Sequence, residues 1–204
     1  MLNRIRDAVT PFLNKAGGAF AKTGISATGW SIFSLILAAL SGVAYAGLFG
    51  AGGWLLGGLL LLGSGFFDIV DGAVARATRS VSKRGAFIDS NFDRIAEVLV
   101  YGGVLVGGIG QPVIVFAALS ASILVSYSRA RGESLNVKLS GIGIGERAER
   151  IFILALASIV GYPYYGVLLV LAVATITFLH RLVYTIRALE VQDISGRTSM
   201  NQSS

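Results

Sequence analysis

The sequence predicts an all-α integral membrane protein, with six transmembrane helices preceded by an N-terminal interfacial amphipathic helix. Three observations lead to this prediction. Hydrophobic residues make up 54% of the 204 residues and charged residues only 14%, and the mean hydropathy is +0.73, which is too apolar for a soluble globular domain. Long segments contain no charged residue at all. The basic residues, finally, all fall in parts of the chain that a six-helix arrangement places on one membrane face.

The composition also excludes several classes of protein. The chain has no cysteine, which rules out disulfides, thiolate metal sites and cysteine nucleophiles. The 27 glycines are expected where membrane helices pack closely, because lipid provides no hydrophobic force that presses helices together. The net charge of +6 is typical of cytoplasmic loops beside anionic headgroups, and we expect no nucleic-acid partner.

The first element is the interfacial helix, predicted over residues 1 to 22. Apolar residues recur there at spacings of three and four, with basic residues between them, which is typical of a helix lying in the membrane interface. A cleaved signal peptide is the alternative, but Pro11 interrupts a short apolar stretch that has no convincing cleavage site. The apolar positions are Leu2, Ile5, Val9, Phe12, Leu13, Ala16 and Phe20.

The six membrane helices follow from three charge-free segments. These lie between Lys22 and Asp68, between Glu97 and Arg129, and between Arg150 and Arg181. Each is longer than the roughly 20 residues that one span needs, so each is expected to hold two helices joined by a glycine-rich turn. The predicted helices cover residues 27 to 47, 52 to 78, 85 to 107, 113 to 132, 146 to 160 and 164 to 187.

The distribution of charge sets the predicted orientation. With six helices, all 17 basic residues fall on the side of the termini, and the positive-inside rule makes that side cytoplasmic. We therefore expect a multi-pass protein of the cell membrane, with residues 23 to 187 forming one membrane domain. Residues 188 to 204 are expected to form a polar C-terminal tail, and the last residues, 191 to 204, are expected to be disordered.

Four aspartates at helical spacing form the main candidate site. Asp68 and Asp71 are three residues apart near the end of the second helix, and Asp89 and Asp93 are four apart in the third. Each pair therefore projects from one helix face. If the two helices are neighbours, four carboxylates converge, and their repulsion and desolvation require a cation. Mg²⁺ or Mn²⁺ is the best candidate, because both prefer carboxylate oxygens and commonly share them with substrate phosphates.

Two features near the aspartates allow more than one interpretation. Arg76, Arg79 and Arg84 are close in sequence and could form ordinary salt bridges with the aspartates instead of a metal. Gly72 and Ala75 leave the helix surface beside the aspartates almost bare. A flat group such as a nucleotide base could lie there, although a glycine in a membrane helix also serves close helix packing.

Residues 68 to 93 resemble the hallmark motif of the CDP-alcohol phosphotransferases, D-x2-D-G-x2-A-R-x8-G-x3-D-x3-D. The resemblance extends over most of the chain, because that family also has six spans, an N-terminal interfacial helix and cytoplasmic termini. It is far more specific than a lone glycine-rich loop, since every fixed position is matched. The matching residues are Asp68, Asp71, Gly72, Ala75, Arg76, Gly85, Asp89 and Asp93.

The resemblance implies a reaction and a role for each motif residue. Asp68, Asp71 and Asp89 would hold two divalent ions with help from Asp93, which would also be the general base. A CDP-linked lipid would bind with its pyrophosphate at the metals, and an acceptor hydroxyl would attack the lipid-side phosphorus and expel CMP. This is a transferase reaction of phospholipid synthesis. The residues implied in CDP binding are Gly72, Ala75, Arg76, Gly85 and Ser31, although the segment before Ser31 has Ala27 where relatives usually have proline.

The second cytoplasmic loop, residues 126 to 154, carries a cluster of basic residues near the expected acceptor entrance. Such a cluster suits an acceptor that already bears a phosphate, because guanidinium groups bind phosphate oxygens in bidentate fashion. The alternative is a positive-inside loop that contacts lipid headgroups. The basic residues are Arg129, Arg131, Lys138, Arg147 and Arg150.

This loop is similar to that of the phosphatidylinositol-phosphate and archaetidylinositol-phosphate synthases, which carry S-Y-x-[KR]-A-R-x-E followed by E-R-x-E-R. The similarity implies that Arg129, Arg150 and Arg181 surround the phosphate of inositol phosphate. Arg181 follows a long uncharged run and is not needed for topology, although a snorkelling arginine would also explain it. His180 beside it is expected to be an interfacial residue. Glycerol phosphate, the acceptor of phosphatidylglycerophosphate synthases, stays open, as do archaeol and diacylglycerol tails.

Two other classes of membrane protein fit the four aspartates less well. A divalent-cation transporter could also place aspartates on facing helices, but its site is expected near the membrane midplane, whereas these aspartates are predicted at one face. A purely structural membrane subunit would not need four mutually repelling carboxylates. The family resemblance also suggests a homodimer in which each subunit has its own site.

Overall fold

The computed structural model describes residues 17 to 50 and 52 to 202, with side chains up to residue 194. Within these ranges the chain forms helices joined by short turns, and it contains no β-strand. The predicted all-α fold class is therefore confirmed. The helices are α1 (Ala27–Tyr45), α2 (Gly53–Ala77), α3 (Lys83–Val106), α4 (Pro112–Ser134), α5 (Arg147–Ile159) and α6 (Pro163–Gln202).

Four of these helices are long and apolar enough to cross a membrane: α1, α2, α4 and α6 over residues Pro163–Ile194. The protein is therefore a membrane protein with at least these candidate spans in its described part. The helix α3 contains several charged residues, among them Asp93 and Glu97, and α5 has only 13 residues. Length and hydropathy alone do not assign these two helices to the membrane.

The observed helix bounds lie within two residues of the predicted ones, except at the end of α6. The sequence predicted a disordered segment from residue 191, whereas α6 continues to Gln202. That expectation was wrong, because it relied on polarity, and a polar segment can extend a helix that has already been nucleated.

The predicted interfacial helix falls mostly on residues 1 to 16, which lie outside the described residues, so it stays a prediction. Residues 17 to 21 are helical and pack against α2. A Cβ added at Gly17 would lie 2.6 Å from the carbonyl oxygen of Ala73. Phe20 makes an edge-to-face contact with Trp30 of α1 at 5.1 Å between ring centroids. The segment before α1 is thus fixed to the first two helices.

The helices form a bundle in which α1 packs on α2 and α3, while α5 packs on α2 and α6. The helix α4 packs mainly on α6 and also contacts α3. The hydrophobic core lies between these elements and includes Leu61, Val104, Val115, Leu154 and Val170. The end of α2 and the first half of α3 lie beside the start of α5, where Arg147 contacts Asp68 and Asp93.

Glycines allow the closest helix approach, as expected for a membrane bundle. Gly42 of α1 faces Gly103 of α3, and a Cβ added at Gly103 would lie only 2.6 Å from the Cα of Gly42. Since this neighbour is backbone, it cannot move aside as a flexible side chain could. The two helices can therefore approach this closely only because both positions lack a side chain.

A short turn connects α2 to α3 and sets the relative position of the two aspartate pairs. Arg79 in this turn adopts a positive φ of 53°, and the hydroxyl of Thr78 donates a hydrogen bond to the carbonyl oxygen of Val74 at 2.8 Å. Ser82 then caps α3, because its Oγ accepts a hydrogen bond from the amide of Gly85 at 3.0 Å. Capping of this kind satisfies an amide that has no partner within the helix.

Candidate active site

Three of the four predicted aspartates form a compact cluster. Asp68, Asp71 and Asp89 each offer a carboxylate oxygen, and these oxygens lie within 4.8 Å of one another. The first two residues come from α2 and the third from α3, so the cluster depends on the close packing of these helices beside their connecting turn. Asp71 is only 5% exposed. The convergence predicted from helical spacing is thus present for these three carboxylates.

The helix α1 also contributes to this cluster. The hydroxyl of Ser31 donates a hydrogen bond to Oδ2 of Asp71 at 2.6 Å. Ser31 is itself buried, so this bond orients the carboxylate and lowers the cost of burying it. The CDP contact predicted for Ser31 stays a prediction, and the structure adds that its hydroxyl holds one of the aspartates.

The donor set fits a divalent cation. Mg²⁺ binds oxygen ligands at about 2.1 Å, so two oxygens on one ion lie at most about 4.2 Å apart. Carboxylate oxygens that already lie within 4.8 Å of one another need only small rotations to reach this geometry. Oxygen donors without nitrogen or sulfur favour Mg²⁺ or Mn²⁺ over softer metals.

Asp93 lies next to the cluster and is held by an arginine of α5. The Nη1 atom of Arg147 lies 2.8 Å from Oδ1 of Asp93 and 2.8 Å from Oδ1 of Asp68. One guanidinium nitrogen therefore bridges two carboxylates on different helices. Arg94 is also 3.6 Å from Oδ2 of Asp93, on a side chain that is partly exposed.

In the described part of the chain, the salt bridges of the aspartates are not formed by the arginines that lie between the two aspartate pairs. Among the ion pairs of the described residues, the partners of the four aspartates are Arg147 and Arg94. Arg76, Arg79 and Arg84 are absent from those pairs. These three arginines lie between the two aspartate pairs in the sequence, and Arg76 lines the large cavity described below.

A cavity of about 430 Å³ adjoins the aspartate cluster. All five residues predicted to contact CDP line it, together with two of the clustered aspartates. Small residues from α2 and α3 form much of its wall, and Arg76 provides a positive charge. Its lining includes Ser31, Asp71, Gly72, Ala75, Arg76, Gly85 and Asp89.

A much smaller polar pocket of about 10 Å³ also adjoins the cluster. Asp68, Asp93 and Arg147 line this pocket, while Ser31 and Asp89 line both the pocket and the large cavity. A volume of about 10 to 15 Å³ is enough for one water molecule. The clustered carboxylates thus separate a large cavity from a small pocket that contains Asp93.

One helical turn beyond Asp93, a buried ion pair joins α3 to α5. Glu97 and Arg150 are 6% and 3% exposed, and Nη2 of Arg150 lies 2.6 Å from Oε1 of Glu97. Arg150 also donates to the carbonyl oxygen of Gly145 at 2.7 Å. Its Nε is buried and has no hydrogen-bond partner in the described part of the chain. Asp93–Arg147 and Glu97–Arg150 thus form a two-rung ladder between the helices.

The other two predicted phosphate ligands converge on Glu146. Arg181, which is 2% exposed, places Nη2 at 3.4 Å from Oε1 of Glu146, and Nη1 of Arg129 lies 3.7 Å from the same oxygen. Arg181 also donates to the carbonyl oxygens of Ile142 and Val125 at 2.8 and 3.0 Å. The chain segment just before α5 therefore connects all three arginines that the sequence assigned to the acceptor.

Sequence reasoning missed the roles of Arg147, Glu97 and Glu146. A signal was present, because Glu97 follows Asp93 by four residues and Arg147 precedes Arg150 by three, so each pair shares one helix face. The pairing between α3 and α5 could not be inferred, since the two helices are about 50 residues apart in the chain.

Comparison with known proteins identifies relatives over nearly the whole chain. The archaetidylinositol phosphate synthase of Pyrococcus horikoshii is 36% identical over 191 residues, which cover 94% of this chain and 100% of that protein. Two crystal structures of the phosphatidylinositol phosphate synthase of Mycobacterium tuberculosis have the same fold, each with a TM-score of 0.71. The structure with manganese and citrate is 23% identical and covers 85% of this chain and 88% of that chain. The structure with CDP-DAG bound is 24% identical and covers 85% and 92%.

A family-level match agrees with these relatives. The model of the CDP-alcohol phosphatidyltransferases matches residues 25 to 186, a range that includes all the helices of the bundle up to the last part of α6. The motif predicted from the sequence lies inside it, at the place where three carboxylates converge. The chain therefore belongs to the CDP-alcohol phosphatidyltransferase family.

Proposed function

We propose that this protein transfers the phosphatidyl-type group of a CDP-linked lipid to inositol phosphate and releases CMP. The observation that carries the proposal is the position of the aspartate cluster between two spaces. The large cavity suits a nucleotide, and the small pocket contains a carboxylate that can accept a proton. The Pyrococcus horikoshii relative, an archaetidylinositol phosphate synthase, supports inositol phosphate as the acceptor.

The large cavity is the proposed CDP site. Gly72, Ala75 and Gly85 line it and present almost no side chain, so a planar base can approach the backbone. Arg76 lies in the same wall and would balance the negative charge of the pyrophosphate. Ser31 supports the site by orienting Asp71.

Asp68, Asp71 and Asp89, with help from Asp93, are the proposed ligands of two divalent ions, Mg²⁺ or Mn²⁺. Such ions, when bound, would stabilise the charge that develops on the pyrophosphate during displacement. The carboxylates would place these ions where the large cavity meets the small pocket. This position fits a substrate whose two phosphates lie between the nucleotide and the lipid.

Asp93 is the proposed general base. It lines the small pocket and not the proposed nucleotide cavity, and the two spaces share Ser31 and Asp89, so an acceptor hydroxyl that reached Asp93 would lie beside the proposed metal site. The hydroxyl oxygen would bond to the lipid-side phosphorus, the bond from that phosphorus to the CMP oxygen would break, and Asp93 would take the hydroxyl proton. A base must lie within hydrogen-bond reach of the proton that it removes.

Arg129, Arg150 and Arg181 are the proposed ligands of the acceptor's phosphate. They surround the segment that leads into α5, and Arg150 has a buried Nε without a partner among the described residues. Arg129 and Arg181 share Glu146, which a phosphate with higher charge could replace as their partner. Guanidinium groups bind phosphate through paired hydrogen bonds, so this set would select a phosphorylated alcohol.

The decisive experiment measures CMP release by purified protein with Mg²⁺ or Mn²⁺, using CDP-archaeol and CDP-diacylglycerol separately. Inositol phosphate, glycerol phosphate, inositol and serine are compared as acceptors. We expect rapid release only with inositol phosphate. Activity with glycerol phosphate but not inositol phosphate would contradict the acceptor assignment and favour a phosphatidylglycerophosphate-type synthase, and divalent-ion uptake into vesicles without CMP release would favour a transporter.

We also propose that α3 and α5 cross the membrane with the other four helices and that the termini face the cytoplasm. The chain has no cysteine, so single cysteines can report topology without background. Leu48→Cys lies in the exposed turn after α1, and Lys83→Cys lies beside the aspartate motif. We expect a membrane-impermeant maleimide to label Leu48→Cys in intact cells and Lys83→Cys only after permeabilisation; the reverse pattern would contradict the orientation.

A homodimer with one site in each subunit is the proposed assembly. The family resemblance motivates it, and several helices expose large apolar side chains, among them Phe116 and Leu169, which either lipid or a second subunit could cover. Light scattering of the detergent-solubilised protein would give the mass of the assembly, with 21.3 kDa per chain. A monomer at all protein concentrations would contradict the proposal.

A further inference from the structure

Arg147 lies against both the aspartate cluster and Asp93, and the reaction steps proposed above do not use it. Its side chain is 14% exposed, and its Nη1 lies 2.8 Å from one carboxylate oxygen of Asp68 and 2.8 Å from one of Asp93. Asp68 also belongs to the three-carboxylate cluster. The arginine and a divalent ion would therefore share the same carboxylate.

The main chain fixes Arg147 in this place. It is the first residue of α5, and one turn later Arg150 is held by Glu97 through a buried contact of 2.6 Å. Since this deeper pair ties α5 to α3, the backbone of Arg147 is held close to Asp93. Its guanidinium therefore starts from a backbone position within reach of both carboxylates, and the side chain is mostly buried.

We infer that Arg147 is a resident counter-ion that limits the affinity of the aspartate cluster for divalent ions and restrains Asp93. It lies 2.8 Å from Oδ1 of Asp93, whereas Oδ2 is 3.6 Å from the partly exposed Arg94, so Oδ2 is the more weakly held oxygen and the one that would take the acceptor's proton. Arg147 is thus a positioning residue that keeps the base from becoming a full metal ligand. This inference deepens the proposed function and rests on it.

A counter-ion and a purely structural residue predict opposite changes in metal affinity when Arg147 is replaced. A positive charge close to a metal site repels the ion and competes for its ligands, and the effect is large where water screens poorly. Loss of the charge should therefore strengthen metal binding. A residue that only braced the aspartates would, when removed, leave metal binding unchanged or weaken it.

The test is a titration of purified, full-length protein with Mn²⁺, followed by the electron paramagnetic resonance signal of the free ion. For Arg147→Gln we expect the dissociation constant to fall by about tenfold relative to the wild type. In a CMP-release assay, kcat should fall by at least about tenfold with little change in KM for the CDP-lipid, since Asp93 would be held by metal.

Three further variants make the result interpretable. Arg147→Met is a second neutral variant, whose side chain can pack against Leu61, Ile151 and Leu154 in the adjoining apolar cavity wall if the glutamine variant does not fold. Arg147→Lys keeps the charge and should bind Mn²⁺ like the wild type to within about threefold. Arg94→Gln removes the same charge from a partly exposed side chain beside Asp93, and its Mn²⁺ affinity should change by less than about twofold.

The outcomes separate this inference from the proposed function. Tighter Mn²⁺ binding and slower turnover in the two neutral variants would support the counter-ion role. Unchanged or weaker binding in both, with a wild type that binds Mn²⁺, would overturn the inference and leave the metal site standing. A wild type that binds no Mn²⁺ would overturn the proposed metal site itself, and the inference would fall with it.

Discussion

The buried pair between Glu97 and Arg150 gives the most quantitative test of the bundle. Replacing Glu97 with leucine removes the carboxylate that lies 2.6 Å from the guanidinium of Arg150. Arg150 would then be buried with a charge and no counter-charge, which is costly in a low-dielectric interior. We expect Glu97→Leu to lower the free energy of unfolding substantially.

The magnitude follows from what remains around the guanidinium. Removing one partner of a buried pair costs about 3 to 5 kcal/mol. Arg150 keeps its hydrogen bonds to the carbonyl oxygens of Gly145 at 2.7 Å and Ser122 at 3.4 Å, which places the expected loss at the lower end, about 3 kcal/mol. The double variant Glu97→Leu with Arg150→Met removes both charges and should recover most of that loss.

The assay is unfolding in a mild detergent, with Glu133→Leu as the matched control. Glu133 also pairs with an arginine, at 3.0 Å from Arg129, but both side chains are at least 40% exposed. Exposed pairs contribute about 0.2 to 1 kcal/mol, so this control should change stability little. Wild-type stability in Glu97→Leu would refute the reasoning that the buried charge needs its partner.

The same double variant tests the proposed acceptor role of Arg150 separately from its structural one. If Arg150 binds the phosphate of the acceptor, the folded double variant should still have a KM for inositol phosphate raised by about tenfold or more, because a charge-assisted hydrogen bond is lost. A wild-type KM in a stably folded double variant would assign Arg150 to the fold alone.

The remaining predictions concern the base, the helix packing and the acceptor site. Asp93→Asn should reduce CMP release by at least about 100-fold while Mn²⁺ still binds, because the general base is lost; full activity would remove that role. Gly103→Ala should destabilise the protein by about 2 kcal/mol, because its Cβ meets the backbone of Gly42. Gly102→Ala, with nothing within 4 Å of its Cβ, should be neutral or stabilising. Arg181→Gln should raise the KM for inositol phosphate about tenfold with little change for the CDP-lipid, and equal losses would indicate a structural role.

The helix positions could be read from the sequence because the charge-free segments are long and their turns contain glycine or proline. Pro112 begins α4 and Pro163 begins α6, at positions where a missing amide costs nothing. The end of α6 could not be read in this way. Polarity from residue 191 onward suggested disorder, and no local signal showed that the helix would continue to Gln202.

The aspartate cluster was also predictable, for a local reason. Asp68 and Asp71 lie within one turn of α2, and a five-residue turn forces α3 with Asp89 to return beside it. The partners of the arginines depend instead on contacts between distant segments. Arg147 meets Asp68 and Asp93, and Arg150 meets Glu97, only because α5 packs into the bundle. Helical spacing can place residues on a face, but it cannot say which other helix that face meets.

The ladder between α3 and α5 links the two halves of the proposed reaction. Asp93 and Glu97 occupy successive turns of α3, and Arg147 and Arg150 occupy one turn of α5. The first rung adjoins the aspartate cluster, and the second includes an arginine that we assign to the acceptor. Because both rungs join the same two helices, a shift of α5 would change the environment of the base and of the acceptor's phosphate together. In the proposed reaction, the buried pair between Glu97 and Arg150 would therefore have a use that offsets its desolvation cost. It would keep Asp93, the proposed base, at a fixed distance from the bound acceptor, whose hydroxyl gives up the proton.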